Sequence, residues 1–482
     1  MLNLNDPSLL ETRSLINGEW LEAENSFDVI NPANQTRVAT VYDVGREGIK
    51  SAIDAAYDAQ KSWAAYTAKE RADILLKWHD LTMENQEDLA QILTAEMGKP
   101  INEARGEIAY GASFLRWFAE EARRIYGDMV PGHQRDKRIL IMRQPIGVVG
   151  SITPWNFPNA MIARKVAPAL AAGCTFVGRP AELTPLSATA MAVLGQRAGI
   201  PRGVLNMVVG SDASEMGKEL CENQKVRKVT FTGSTRVGSV LMQQCAGDIK
   251  KLSLELGGNA PFIIFDDADL EKAVEGAMIS KFRNAGQTCV CANRIYVQSS
   301  VYDEFAKKLA AAMAKLKVGD GADDTTTIGP IINENGLAKI EDHLSDATAK
   351  GATVLSGGKR SDVGELFFEP TVLTGVTSDM KVTREETFGP LAPLFKFETE
   401  DEVIHAANDT EFGLACYFYA NDLSRVWKVT EELEYGIVGV NTGLISAVEG
   451  PFGGVKQSGL GREGSKYGIE DFLEMKYVCM SV

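Results

Sequence analysis

Val226-Arg227-Lys228-Val229-Thr230-Phe231-Thr232-Gly233-Ser234-Thr235-Arg236-Val237-Gly238 decides the fold. Val226 to Phe231 reads as a strand and residues 235–245 as a helix, joined by a Gly233-Ser234 turn. Such a turn lets a pyrophosphate approach a helix N-terminus, where backbone N–H groups lack partners. Outward from it the same alternation recurs. Val148 to Ile152 and Cys174 to Val177 read as strands. A helical pattern from Pro185 closes at Gly199-Ile200-Pro201, followed by strand Val204 to Val209 and helix 212–222. Short strands alternating with helices predict an α/β fold with a parallel sheet and helices on both faces. Ligands then bind at the carboxyl ends of the strands.

A second alternation starts at Pro261-Phe262-Ile263-Ile264-Phe265, so the boundary between two units falls near Gly257-Gly258. It includes a helix from about Val301, with Phe305, Leu309, Met313 and Leu316 on one stripe and a capping-box-like start at Ser300 and Asp303. Upstream, 46–66 is an amphipathic helix with Ile49, Ile53, Ala56 and Trp63 near one face. Residues 68–125 continue in helical style, and Arg138 to Met142 reads as a projecting strand.

The 482-residue length suits two large domains, or two plus an extension. A formal net charge of -15 argues against nucleic acid and anionic membranes as partners, since both want a basic surface. Seven cysteines at irregular spacings do not form a disulfide framework. With no apolar membrane-length run and a polar, acidic segment from Met1 to Thr12, the expectation is a soluble, cytoplasmic protein.

Three segments carry chemistry. Phe282-Arg283-Asn284-Ala285-Gly286-Gln287-Thr288-Cys289-Val290-Cys291 sets a cysteine in a polar turn. A lone cysteine is usually a small buried hydrophobe, but Cys289 follows Asn, Gly, Gln and Thr, a setting for a nucleophile. None of the four histidines lies in a motif-rich segment, which disfavours a Cys–His hydrolase. Activation is left to backbone dipoles, cofactor charge or a carboxylate. Glu255, at the end of an apolar run before Gly257-Gly258, is a candidate desolvated base; the alternative is a strand-end carboxylate capping amides. Asn156, between Trp155 and Phe157-Pro158, offers a rigidly held amide to an oxyanion, or simply marks a rigid turn. Gly459-Leu460-Gly461-Arg462-Glu463-Gly464 matches the dinucleotide pattern in letters only, since no strand precedes it and too little chain follows. No metal site is expected.

Together these segments resemble the aldehyde dehydrogenase superfamily over nearly the whole chain. Asn31-Pro32-Ala33, Glu385-Glu386-Thr387-Phe388-Gly389-Pro390 and Pro451-Phe452-Gly453-Gly454-Val455-Lys456-Gln457-Ser458-Gly459 add to the likeness. The resemblance implies Cys289 as nucleophile, Glu255 as base and Asn156 as oxyanion donor. It implies Trp155, Gly233 and Ser234 at the cofactor, and Glu386 with Phe388 at the nicotinamide ribose. The implied fold has a Rossmann-type NAD(P)-binding domain (1–122 and 146–257), an α/β catalytic domain (258–460) and a small β oligomerisation flap (123–145 and 461–482). Such chains form homodimers or homotetramers.

Within the superfamily, Ala160-Met161-Ile162-Ala163-Arg164-Lys165, Lys281-Phe282-Arg283, Cys289-Val290-Cys291 and Gly443-Leu444-Ile445-Ser446 resemble the succinate-semialdehyde dehydrogenase subfamily. This implies Arg164, Arg283 and Ser446 as binders of a carboxylate on a small anionic aldehyde, a task guanidinium groups suit. Glutarate semialdehyde and a CoA-acylating reaction are the enzymatic alternatives, the latter disfavoured by Glu255; a non-catalytic dinucleotide-binding protein is the other. Cys291, two residues from Cys289, would close a redox switch with it or merely pack. One departure bears on the cofactor. Gly178-Arg179-Pro180-Ala181-Glu182 has arginine where the family has lysine. Glu182 would repel a 2′-phosphate by roughly 3 kcal/mol at about 5 Å and an effective dielectric near ~20, while Arg179 pulls the other way. The expectation leans to NAD over NADP.

Overall fold

The computed structural model describes residues 2–482; Met1, the first residue of the 1–122 segment, lies outside the described residues. Among these, the alternation around Gly233 builds an eight-stranded sheet. Its order is Gly459–Leu460, Lys251–Glu255, Val226–Thr232, Val148–Ile152, Thr175–Arg179, Leu205–Met207, Ser14–Ile16 and Glu19–Leu21. The run from Lys251–Glu255 to Leu205–Met207 is parallel, and the flanking strands are antiparallel. Successive side chains of a strand point to opposite faces. Val148 and Val177 therefore pack with Ile49, Ile53, Met216 and Leu220, while Val149 and Phe176 pack with Ile162, Val166 and Leu194. Both faces are covered, as a parallel sheet requires.

The second alternation builds a seven-stranded sheet, ordered Thr353–Ser356, Thr371–Thr374, Leu391–Phe397, Ala292–Gln298, Ala260–Ile264, Ala415–Tyr419 and Ile437–Val440. Every pair in it is parallel except the first. Helices Leu270–Phe282 and Tyr302–Met313 pack on one face, Glu400–Asn408 and Leu423–Glu432 on the other. The capping box at Ser300 does not form. Val301 is the N-cap of Tyr302–Met313, without a side-chain cap. A turn in which the Val301 N–H donates to the Gln298 carbonyl (3.0 Å) enters the helix one residue later.

Leu256-Gly257-Gly258-Asn259 carries the chain from one sheet to the other. A Cβ at Gly258 would come within 2.5 Å of the Cys289 carbonyl oxygen, so the absence of a side chain lets the crossing pass against the cysteine turn.

Asp128–Val130, Lys137–Pro145 and Leu473–Ser481 form a separate three-stranded antiparallel sheet. Of the 461–482 segment grouped with the flap on sequence grounds, only the end joins this sheet. Ile469 and Phe472 are buried in the core of the first unit, and Glu463 pairs with Lys165 there. No helix of the described residues is long and apolar enough to cross a membrane.

Candidate active site

The carboxyl edge of the first sheet gathers residues distant in sequence. Glu255, Thr232, Ile152 and Arg179 end four adjacent strands, with Thr232 opposite Glu255 and Ile152 opposite both Phe231 and Arg179. The loops leaving these strands meet the loops 283–291, 385–390 and 443–446 of the second unit around a cavity of about 270 Å³. Cys289, Asn156, Arg164, Arg283 and Ser446 line it, together with Trp155, Gly233, Ser234, Glu386 and Phe388.

The cysteine turn is held in an uncommon backbone. Asn284, Ala285 and Gly286 have φ of 52°, 54° and 77°, a left-handed run that costs a non-glycine residue roughly 1–2 kcal/mol. Side-chain anchors hold it. The Gln287 amide donates to the carbonyls of Asn284 (3.1 Å) and Pro330 (3.2 Å) and accepts from the Ile332 N–H (3.0 Å). Cys289 is half-buried. Burial pushes its thiol up to about 12, and Arg164 is the strongest opposing influence. The neighbouring carboxylates and arginines act on it in opposite directions. Glu386 and Glu255 raise the thiol, because a nearby negative charge disfavours a thiolate; Arg164 and Arg283 lower it.

Asn156 is buried, and its side-chain amide donates to the Gln287 carbonyl (3.0 Å). That uses one of two N–H groups and fixes the amide plane. Its backbone carbonyl accepts from the Lys99 ammonium (2.8 Å) and the Asn284 amide (3.2 Å).

Glu255 is buried, and neither carboxyl oxygen has a hydrogen-bond partner among the described residues, so it is not an amide cap. Burial, reinforced by Glu463, holds its pKa well above the usual carboxylate range. It does not line the cavity, although the next two residues, Leu256 and Gly257, do.

Sequence reasoning missed Glu463. It lies in the Gly459–Gly464 segment, which forms a two-residue antiparallel strand and no strand–turn–helix. Glu463 pairs with Lys165 and, at 2.8 Å, with Arg164. Burial alone would raise its pKa; Lys165 and Arg164 overcome that and lower it. Lys339 and Tyr110 also line the cavity without a local signal in the sequence.

Besides Glu255, three expected residues lie off the cavity. Arg179 and Glu182 do not line the cavity and pair with each other at 2.7 Å, which removes the simple repulsion argument built on Glu182. Cys291 is fully buried, and the Lys281 ammonium donates to its sulfur at 3.3 Å. It does not open onto the cavity that Cys289 lines.

The residues fit a dinucleotide. Ser234 is exposed and caps helix Thr235–Cys245, its hydroxyl accepting from the Val237 N–H (3.4 Å); it lines the cavity with Gly233, and a helix N-terminus of this kind suits an anion. Glu386 accepts from the Gly258 N–H (3.2 Å), and burial pushes its pKa to about 7. Trp155 and Phe388 meet edge-to-face with centroids 5.6 Å apart.

The chain is 62% identical over 483 residues to the succinate-semialdehyde dehydrogenase [NADP(+)] of Escherichia coli, covering 100% of both chains. It is 61% identical over 483 residues to a glutarate-semialdehyde dehydrogenase of Pseudomonas putida, again covering 100% of both. A solved structure described as an E. coli NADP-dependent enzyme matches with a TM-score of 0.99 at 62% identity over 100% of both chains. The aldehyde dehydrogenase family matches residues 20–478, and the chain belongs to that family, as an NAD(P)-dependent oxidoreductase of the semialdehyde dehydrogenase type.

Proposed function

We propose that the protein oxidises succinate semialdehyde to succinate. The observation that carries this reading is a single cavity shared by Cys289, Asn156, Arg283 and Ser446. Arg283 has no carboxylate within ion-pair distance among the described residues, whereas Arg164 shares Glu463 with Lys165. An anionic substrate group therefore pairs with Arg283 and the Ser446 hydroxyl while its aldehyde reaches Cys289.

In this mechanism the Cys289 thiolate adds to the aldehyde carbon, and the Asn156 amide with a backbone N–H receives the oxyanion. NAD(P), when bound at Ser234 and Glu386, supplies the acceptor for the hydride that leaves this carbon. Glu255, once ionised, takes a proton from water as that water attacks the Cys289 thioester, releasing the thiolate and the acid.

With Arg179 neutralising Glu182, the lean to NAD loses its basis. We infer that NADP serves at least as well, in line with the name of the E. coli relative. The flap exposes Met129, Met475 and Tyr477, which supports its role in a homodimer or a dimer of dimers. Residues 1–122 and 146–257 are the proposed cofactor unit and 258–460 the catalytic unit. A panel of carboxylated and neutral aldehydes, run with both cofactors, tests the reading. Equal kcat/KM for butanal and succinate semialdehyde sinks the substrate assignment, and a strong NAD preference sinks the cofactor one.

A further inference from the structure

Lys99 lies at the junction of the two units and is not on the cavity, yet its ammonium is fully buried and fully engaged. It donates to Glu107 (2.5 Å) and to the Asn156 carbonyl (2.8 Å) and sits over the Phe157 ring, 3.7 Å from its centroid. A lysine has three N–H donors, and these three directions account for them. Glu107 is equally committed. Its second oxygen accepts the N–H groups of Asn159 (3.0 Å) and Ala160 (3.2 Å), the start of helix Ala160–Ala172 that carries Arg164.

Glu107 and Glu103 share helix Ile101–Ala122 with four-residue spacing, so they lie on one face of it. Glu103 accepts from the Asn284 N–H (2.8 Å), in the left-handed part of the cysteine turn. Asn284 in turn donates to the Asn156 carbonyl (3.2 Å). One helix face thus grips both loops: the cysteine turn through Glu103, and the 154–159 loop through Glu107 and Lys99. Both routes converge on the Asn156 backbone.

We infer that Lys99, held by Glu107, is the positioning residue that aims the Asn156 side-chain amide at the oxyanion. The inference rests on the reading of Asn156 as the oxyanion donor. Buried lysines are uncommon, and this one spends two of its three donors on anchoring. Without it, the Asn156 carbonyl keeps only the Asn284 amide, and the backbone that carries the side chain is less tightly held. A misplacement of about 1 Å at a reacting group costs on the order of a hundredfold in rate.

The experiment is a double-mutant cycle of Lys99→Met and Asn156→Ala, read as kcat and aldehyde KM, with cofactor affinity read separately by fluorescence titration. Lys99→Met is expected to lower kcat by about tenfold to a hundredfold. Aldehyde KM and cofactor affinity stay within about threefold, and the double variant is no slower than Asn156→Ala alone. Should Lys99→Met fail to fold, Lys99→Met/Glu107→Gln carries the same test, since the glutamine carbonyl still accepts at the helix start and no unpaired charge is buried. A normal kcat in Asn156→Ala defeats the reading of Asn156 itself. A slow Asn156→Ala with a normal kcat in the Lys99 variant overturns only the positioning role. Losses that multiply in the double variant, or a defect confined to KM or cofactor affinity, also overturn it.

Discussion

Arg164 and Arg283 are both guanidinium groups on the cavity wall, but their charges are not equally available. Glu463 lies 2.8 Å from Arg164 and is shared with Lys165, the Phe452 ring lies 4.1 Å from the Arg164 guanidinium carbon, and Arg164 also lowers the Cys289 pKa. Arg283 contacts the Phe157 ring at 5.1 Å. Arg283→Gln should therefore lower kcat/KM for succinate semialdehyde by about tenfold to a hundredfold, the worth of one charge-assisted hydrogen bond, and leave butanal nearly unchanged. Equal losses on both aldehydes defeat the assignment. Glu255 sets a pH dependence. A base acts when ionised, and burial with Glu463 holds its pKa well above 4.5, so thioester hydrolysis should rise with pH through that raised value. Single-turnover hydrolysis against pH checks this; Glu255→Gln should be slow and lack the inflection. The same shift acts on folding. A carboxyl kept neutral by the fold contributes stability below the ordinary carboxylate pKa, and that contribution is lost as pH rises through the raised one.

Short segments convert these side chains into a site. The turn from Asn284 to Gly286 is left-handed at each residue, and Gly286 packs directly on the Gly389 carbonyl, where a Cβ would overlap. Gly286→Ala should lower the melting temperature and depress turnover more than cofactor affinity. Thermal melts with titration of the cofactor check it, and a variant with normal melting and normal kcat shows that the turn tolerates a side chain. At helix Thr235–Cys245, Ser234→Ala removes a cap worth about 0.5–2 kcal/mol and should raise the cofactor KM. Cofactor titration reads this, and an unchanged affinity removes Ser234 from the cradle. His343, on helix Glu334–Ala349, contacts Thr387 (3.1 Å) and Glu385 (3.2 Å), a buried brace beside Glu386 and Phe388 that gave no signal in the sequence.

Two α/β units and a β flap arrange the molecule so that the cavity lies between the carboxyl edge of one sheet and the loops of the other. The flap leaves Met475 70% and Tyr477 59% exposed, apolar surface on a strand that pairs only with Lys137–Pro145. Charging it with Met475→Glu/Tyr477→Glu should yield smaller particles by light scattering while the circular dichroism of the sheets persists. An unchanged particle mass places the assembly surface elsewhere.

Strand and helix periodicity, the Gly233-Ser234 turn and the polar setting of Cys289 were readable from the chain because each is written in a window of a few residues. Hydrophobic spacing sets which face is buried, and a glycine or a capping hydroxyl sets where an element begins. The balance of charge was not readable. Lys165 and Glu463 stand 298 residues apart, and their pairing turns a dismissed glycine pattern into a neighbour of Glu255. Arg179 and Glu182 have opposite effects on a phosphate when read along the chain, but the fold pairs them. Cys291 stands two residues from Cys289 in the chain, but that its sulfur accepts from Lys281 follows only from the fold. Local geometry is a property of neighbours along the chain, whereas desolvation and Coulomb interaction depend on separation in space, which exists only once distant segments have met.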